Sequence, residues 1–467
     1  MYGFVINRND TLSISKQLQN QIRSTILAGK LQAGEKLPPS RSMAKELGVS
    51  RNTVIQVYEQ LIAEGYLDSI TGSGTYVVDI GRLLKPESPQ LMLHTNQPSI
   101  RKDMLSFSAG DLDTQLFPYS RWSLELQRAS LVQTNHSYPR DNYVGNDILR
   151  KEICDYVYRA KGIDCDYRQI AITAGTSGSL DLLARLLKKK KNKILIEDPC
   201  ISFVKSIFSS YNYTIEPIPV DEHGIDMKCV EKCSDADLIY VVPSHQYPMG
   251  GVLPVARRIA LLQYASAQNL YVIEDDYDCE FRYCGEPVQS LRNLEPERVI
   301  YCGSFSKIFS PSIRMGYMIL PCPLCKDINE VMEDTNMWVN PTLQLAMAEF
   351  LKQKYLDKHV YKMKKLYAKK RLHLMNCIQK TFGSRVEVSG ENAGLHLLFR
   401  FEREFTKEDA QALDKIGIEV EFVEDYSMLN GMHKNELVLG YGKLSLQEIA
   451  EGVKRLKAAL DKATIPH

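Results

Sequence analysis

The chain carries two kinds of hydrophobic rhythm in succession. From Ile14, apolar residues recur four apart (Ile14, Leu18, Ile22, Ile26) up to Gly29, which predicts one helix from about Ser15 to Ala28. Pro38 and Pro39 then break the chain before a short helix that stops at Gly48. The stretch SRNTVIQVYEQLIAEG offers Ser50 as an N-cap and sets Val54, Val57, Tyr58, Leu61 and Ile62 on one stripe. Two helices joined by a tight glycine turn spell helix-turn-helix. The alternating segments YLDSI and TYVVDI around TGSG add a two-stranded wing.

Past residue 105 the rhythm changes. Helical patterns alternate with short, fully apolar runs: QIAITAG, KILIEDP, DLIYVVPS, LYVIEDD, RVIYCGS and GYMILP. This alternation predicts an α/β domain with a largely parallel sheet covered by helices, whose ligands sit at the carboxyl ends of the strands. After Asn340 a long helical region leads into LHLLFRF and ELVLGYG, the pattern of a smaller α+β lobe. The predicted organisation is multidomain: a winged helix-turn-helix over 1–78, a proline-containing linker over 79–105 and an effector domain over 106–467.

Composition narrows the classes. With 58 Lys and Arg against 57 Asp and Glu, overall charge implies no nucleic-acid partner, so any basic surface must be local. Such a surface exists: residues 16–51 hold seven Lys or Arg (16, 23, 30, 36, 41, 45, 51) against Glu35 and Glu46. Arg51, Asn52 and Thr53, at the start of the third helix, are placed to face base edges. No run is apolar enough to span a bilayer, and no apolar core follows a basic start, so a cytoplasmic protein is expected. Eleven scattered cysteines suit reduced thiols, and the lone pair Cys322 and Cys325 lacks a second ligand pair for zinc.

LPPSRSMAKELGVSRNTVIQVYEQLIAEGYL followed by GSGTYV resembles the GntR-type winged helix-turn-helix of bacterial regulators. That resemblance implies a double-stranded DNA operator, with Arg41, Ser50, Arg51, Thr53 and Gly74 among the contacts.

Polar residues cluster where the apolar runs end. GSFSKIFSPSIRMGY brings together Lys307, the hydroxyls of Ser304 and Ser306, and Arg314. Asp275 closes LYVIED, and Tyr277 follows two residues later on the same side of an extended segment. Thr176 and Ser177 open a helix, where free N–H groups favour an anion. Pyridoxal phosphate needs an amine for its aldehyde, a carboxylate for its ring nitrogen, a donor for its phenolic oxygen and cationic donors for its phosphate. Each need has a candidate here.

Residues 106–460 resemble a fold-type-I, pyridoxal-phosphate-dependent aminotransferase in Ser-Phe-Ser-Lys with its following arginine, in EDDYDCEFRY and in PSHQYPMGGVLP. Joined to the winged helix, the chain resembles the MocR/GabR-type transcription regulators, including the subclass that controls vitamin B6 synthesis or salvage. The resemblance implies Lys307 as Schiff-base lysine, Asp275 as pyridine partner, Tyr277 as phenolate partner, and Ser304, Arg314 and Ser177 as phosphate ligands. It sets His245 or Gln246 near the ring, where aminotransferases keep an asparagine. It further implies a head-to-tail homodimer regulated by pyridoxal phosphate or by its external aldimine with a small amine or amino acid. An active aminotransferase with a DNA-binding appendage is the alternative.

Three stretches depart from that pattern. Val438 in NELVLGYG stands where the substrate-carboxylate arginine is expected, and no arginine occurs between Arg403 and Arg455. Cys200 and Ile201 replace a glycine and an aromatic, and the spacing before Gly145 leaves Tyr138 and Tyr143 as alternatives for the partner subunit's phosphate site. The lysines of KKKKNK at 188–193 read as a helix end, and His396 as a core histidine.

Overall fold

The computed structural model describes residues 2–79, 104–133, 143–188, 192–285 and 288–463. Most of the expected linker, together with Tyr138 and Lys189 to Lys191, lies outside them. The chain divides into two compact units, Met1–Ser99 and Ile100–His467.

The first unit holds α1 (Ile14–Leu27), α2 (Ser40–Leu47), α3 (Arg51–Ala63) and an antiparallel hairpin of β1 (Leu67–Ile70) and β2 (Gly74–Val77). Each helix ends where local chemistry dictates. Ser13 and Ser50 accept the backbone N–H groups of Lys16 and Thr53, and Gly48 closes α2 in the left-handed region that its missing Cβ permits. Leu18 and Ile22 of α1 meet Val54 and Leu61 of α3 in a core from which water is excluded.

The second unit begins with β3 (Leu105–Ser106), α4 (Tyr119–Gln133) and α5 (Asp147–Lys161). An eight-stranded sheet follows: β4 (Ile170–Thr173), β5 (Lys193–Asp198), β6 (Thr214–Asp221), β7 (Gly224–Ile225), β8 (Leu238–Val241), β9 (Tyr271–Asp276), β10 (Val299–Ser304) and β11 (Gly316–Ile319). Their order across the sheet is β4-β11-β10-β9-β8-β5-β6-β7. Neighbours from β10 to β6 are parallel, while β11 and β7 run antiparallel to their partners. The six apolar runs are all strands. The sequence reading missed β6, because TIEPIPVD has two prolines and a half-exposed pattern.

Helix α6 (Gly175–Leu186) starts directly after β4. The smaller lobe carries a four-stranded sheet of β12 (Val386–Ser389), β13 (His396–Phe401), β15 (Glu421–Phe422) and β16 (Glu436–Gly440) in the order β12-β13-β16-β15. Between β13 and β15, β14 (Ile418–Glu419) pairs in parallel with β3 and ties the start of the unit to this lobe. A Cβ on Gly440 would lie 2.3 Å from the Ser108 carbonyl, so only glycine allows segment 108–110 to cross β16. That crossing brings Ser108 to Gly110 over the sheet's carboxyl ends.

Leu61 is fully buried between α1 and the hairpin, so Leu61→Ala is expected to destabilise the first unit by roughly 2–5 kcal/mol. Amide hydrogen exchange should then accelerate over residues 14–77 and stay unchanged in the sheet of the second unit.

Candidate functional site

A cavity of about 600 Å³ opens at the carboxyl ends of the central strands, within the size range of small-molecule sites. Its wall includes Thr176 and Ser177 from the start of α6, Asp275 and Tyr277 from the end of β9, and Ser304, Ser306, Lys307 and Arg314 from the loop joining β10 to β11. Buried β-strands carry polar side chains only where they run out, so neighbouring parallel strands deliver these groups to one place.

Arg314 and α6 form one end. The guanidinium donates to Ser177 Oγ at 2.9 Å and to the Ala174 carbonyl at 3.0 Å. Arg314 has φ of +45°, an uncommon conformation for a side-chain-bearing residue, and it turns the chain from the Lys307 loop into β11. Ser304 Oγ accepts the N–H of Ser306 at 3.1 Å. A guanidinium, several hydroxyls and a helix N-terminus together suit a phosphate dianion.

Asp275 lies at the floor. One carboxylate oxygen accepts the Tyr240 hydroxyl at 2.7 Å, while Oδ1 is buried with no partner. Burial raises its pKa to about 7, against the opposing hydrogen bond of Tyr240. A buried, unsatisfied acceptor facing a cavity is what a protonated pyridine nitrogen would complete. Lys307 Nζ donates to the Gly110 carbonyl at 3.1 Å, and burial pulls its pKa down against the fields of Asp278, Glu421 and Asp111. A lowered pKa keeps more of the amine in its nucleophilic form. These residues fit pyridoxal phosphate: amine, ring carboxylate and phosphate cradle each have an occupant of the right chemistry.

Tyr277 lines the cavity, and its hydroxyl donates to the His245 carbonyl at 3.1 Å. His245 itself is not on the wall, although the sequence placed it beside the ring. It is buried behind Tyr277, with Nδ1 3.1 Å from Asp278 and 3.2 Å from the Tyr277 hydroxyl. The neighbouring amide of Gln246 is occupied by the Pro199 carbonyl at 2.9 Å. His396, read from the sequence as a core histidine, is buried and bonded to the Pro248 carbonyl at 3.2 Å, yet its other face borders the cavity. Burial keeps it neutral by pushing its pKa well below the usual value.

The sequence reading overlooked Glu421, Tyr247 and Tyr426, which complete the wall. Glu421 and Tyr426 lie in a short segment without a motif that only the lobe's sheet brings to Lys307, while Tyr247 lies inside PSHQYPMGGVLP, after β8, and meets Glu421 there. Val438 is fully buried in an apolar cluster with Ala109, Met249, Leu398 and Val423. Tyr143, the described member of the tyrosine pair, packs against the buried cluster that includes Val144, Ala171 and Leu183.

In the first unit, Arg41, Ser50, Arg51 and Asn52 are exposed and Thr53 half-exposed. Ser50 and Thr53 bond each other at 2.7 Å as the cap of α3, while Asn52 and Arg51, whose Nε donates to Ser40 Oγ at 3.4 Å, stay exposed to a ligand. Gly74, at φ +136°, lies under the stem of Lys36, so the wing also presents that cation. Arg23, counted in the basic stretch, is bound to Glu64 at 2.6 Å, at the opposite end of α3 from Arg51. The free positive charge is therefore smaller than the sequence count.

Residues 14–77 match the family of bacterial regulatory proteins of gntR type, and residues 102–423 match aminotransferase class I and II. The probable rhizopine catabolism regulatory protein MocR of Rhizobium meliloti is 31% identical, covering 97% of this chain and 95% of its own. The chain belongs to the MocR-type transcriptional regulators. The pyridoxine biosynthesis regulator PdxR of Corynebacterium glutamicum is 33% identical to this MocR-type chain over 84% of each. The kynurenine aminotransferase of Pyrococcus horikoshii shares its fold, with a TM-score of 0.72 and 24% identity over 78% of this chain and 92% of the enzyme. Among the described residues, no helix of this MocR-type protein is long and apolar enough to cross a membrane.

Two outcomes follow for this regulator. Because its carboxyl titrates near 7 when folded against about 3.9 when unfolded, Asp275 stabilises the cofactor-free protein least above pH 7. Asp275→Asn should therefore melt higher than the parent at pH 8, with the gap closing as pH falls through 7 towards 4. Against a duplex selected from random DNA, Arg51→Ala should cost about 1–3 kcal/mol and relax sequence preference in a binding titration at fixed salt.

Proposed function

We propose that this MocR-type protein is a DNA-binding regulator that holds pyridoxal phosphate at Lys307 and uses its occupancy, or the reaction of a small amine with it, as the regulatory signal. The observation that carries this reading is the pairing of half-buried Lys307 with the unpartnered Oδ1 of Asp275 in one cavity, in a chain that also carries a winged helix. When bound, pyridoxal phosphate supplies an aldehyde that reacts reversibly with amines.

The chain's own residues then have separable roles. Arg314, Ser177, Thr176, Ser304 and Ser306 hold the phosphate; Asp275 holds the ring proton; Tyr277 fixes the phenolic oxygen. His245 orients Tyr277 from behind. Lys307 presents a desolvated amine that a competing amine can displace. A ligand regulates only by binding two states of the protein unequally, so the signal is a shift between arrangements of differing DNA affinity. The family resemblance supports a homodimer presenting two winged helices to paired half-sites, with Arg51 and Asn52 reading bases and Arg41, Lys36 and the wing holding phosphates.

The buried Val438 supports sensing over turnover, because a substrate carboxylate would meet no arginine there. A reading centred on vitamin B6 synthesis or salvage draws support from the likeness to PdxR.

The purified protein should show a visible absorbance band that Lys307→Ala lacks and that borohydride removes. Amines should shift the band and change DNA affinity without sustained product formation. Steady conversion of an amino donor would instead make the protein an enzyme, and a colourless protein that cannot be reconstituted would remove Lys307 from the account.

A further inference from the structure

The charged groups on the cavity wall are unevenly placed. Arg314 serves the end at α6, Lys307 and Asp275 face the middle, and Glu421 stands on the small lobe's wall with Tyr426, facing Tyr247 from the loop after β8. Glu421 Oε1 accepts the Ser108 hydroxyl at 2.8 Å and the Ala109 N–H at 3.2 Å, and Oε2 accepts the Tyr247 hydroxyl at 2.6 Å. These donors are neutral, so they orient the carboxylate without cancelling its charge. Its field also reaches Lys307.

Glu421 on β15 lies directly across from Val438 on β16, the position where relatives place the carboxylate-binding arginine. Cross-strand partners share one face of a sheet. The small lobe therefore offers the cavity an anion at the locus where a cation is expected, and the recognition sign is inverted.

We propose that Glu421 selects the effector. It takes a primary amine with a second cationic nitrogen and no carboxylate: a diamine or polyamine, with one nitrogen directed to the cofactor beside Lys307 and the other to Glu421. This rests on the reading of the cavity as a pyridoxal phosphate site. A half-buried carboxylate with neutral neighbours favours a cation and repels the carboxylate of an amino acid, so attraction and exclusion come from the same residue.

Three probes of equal carbon length separate the effects: 1,4-diaminobutane, n-butylamine and 4-aminobutyrate, titrated into the full-length, cofactor-loaded protein while its absorbance band is followed. The diamine should bind about tenfold tighter than n-butylamine, with 4-aminobutyrate weakest. Glu421→Gln should bring diamine and n-butylamine within about twofold. Glu421→Asp, which keeps the charge, should retain the order and so separate charge from packing.

Equal response of the parent protein to all three probes, a preference for 4-aminobutyrate, or a diamine preference that survives Glu421→Gln would overturn the assignment of Glu421 alone. A parent protein that forms no cofactor band would overturn the reading of Lys307 and this inference with it.

Discussion

Strands buried on both faces cannot carry unpaired polar side chains along their length, and that constraint arranges the rest of the second unit. All four residues of β8 and all six of β10 are buried, and β5 and β9 admit solvent only at their first residue. Chemistry is displaced to the points where the strands end. Because β5, β8, β9 and β10 run in parallel, those ends lie at one edge, and Asp275 of β9 meets Ser304 and the Lys307 loop of β10 there although they are far from it in sequence.

The cavity so formed is electrostatically incomplete. Desolvation of Asp275 and Lys307 is only partly offset by Tyr240 and the Gly110 carbonyl, and Asp275 Oδ1 has no partner. Such unmet needs cost stability in the empty protein and return as affinity when a complementary group binds. The second tier follows the same logic: Asp278 holds His245, His245 holds Tyr277, and only the tyrosine reaches the cavity. In the first unit the hydroxyls of Ser50 and Thr53 and the guanidinium of Arg23 are likewise committed within the fold, which concentrates recognition on Arg51, Asn52 and the wing.

Much of this was legible in the chain. Periodicity of 3.6 against short apolar runs separated the two units, because each rhythm is the burial pattern of one kind of element. Gly48, Ser50 and the six apolar runs marked boundaries through local chemistry that no distant contact needs to assist. The lysine, the arginine seven residues later, and the Asp275–Tyr277 spacing were visible because a cofactor's needs fall on consecutive strand ends. β6 was missed where two prolines broke the apolar pattern.

What the tertiary structure alone decided concerns residues without a local signature. His245 and Gln246 are adjacent in sequence, but packing turned the first behind Tyr277 and the second towards Pro199. Val438 announced a missing arginine, while Glu421 became meaningful only when β15 was laid across from β16. Sequence determined the elements and the cofactor chemistry, since those depend on neighbours a few residues apart. The sign proposed for the effector site depends on a strand register between residues seventeen apart, joined through a lobe whose pairing no periodicity records.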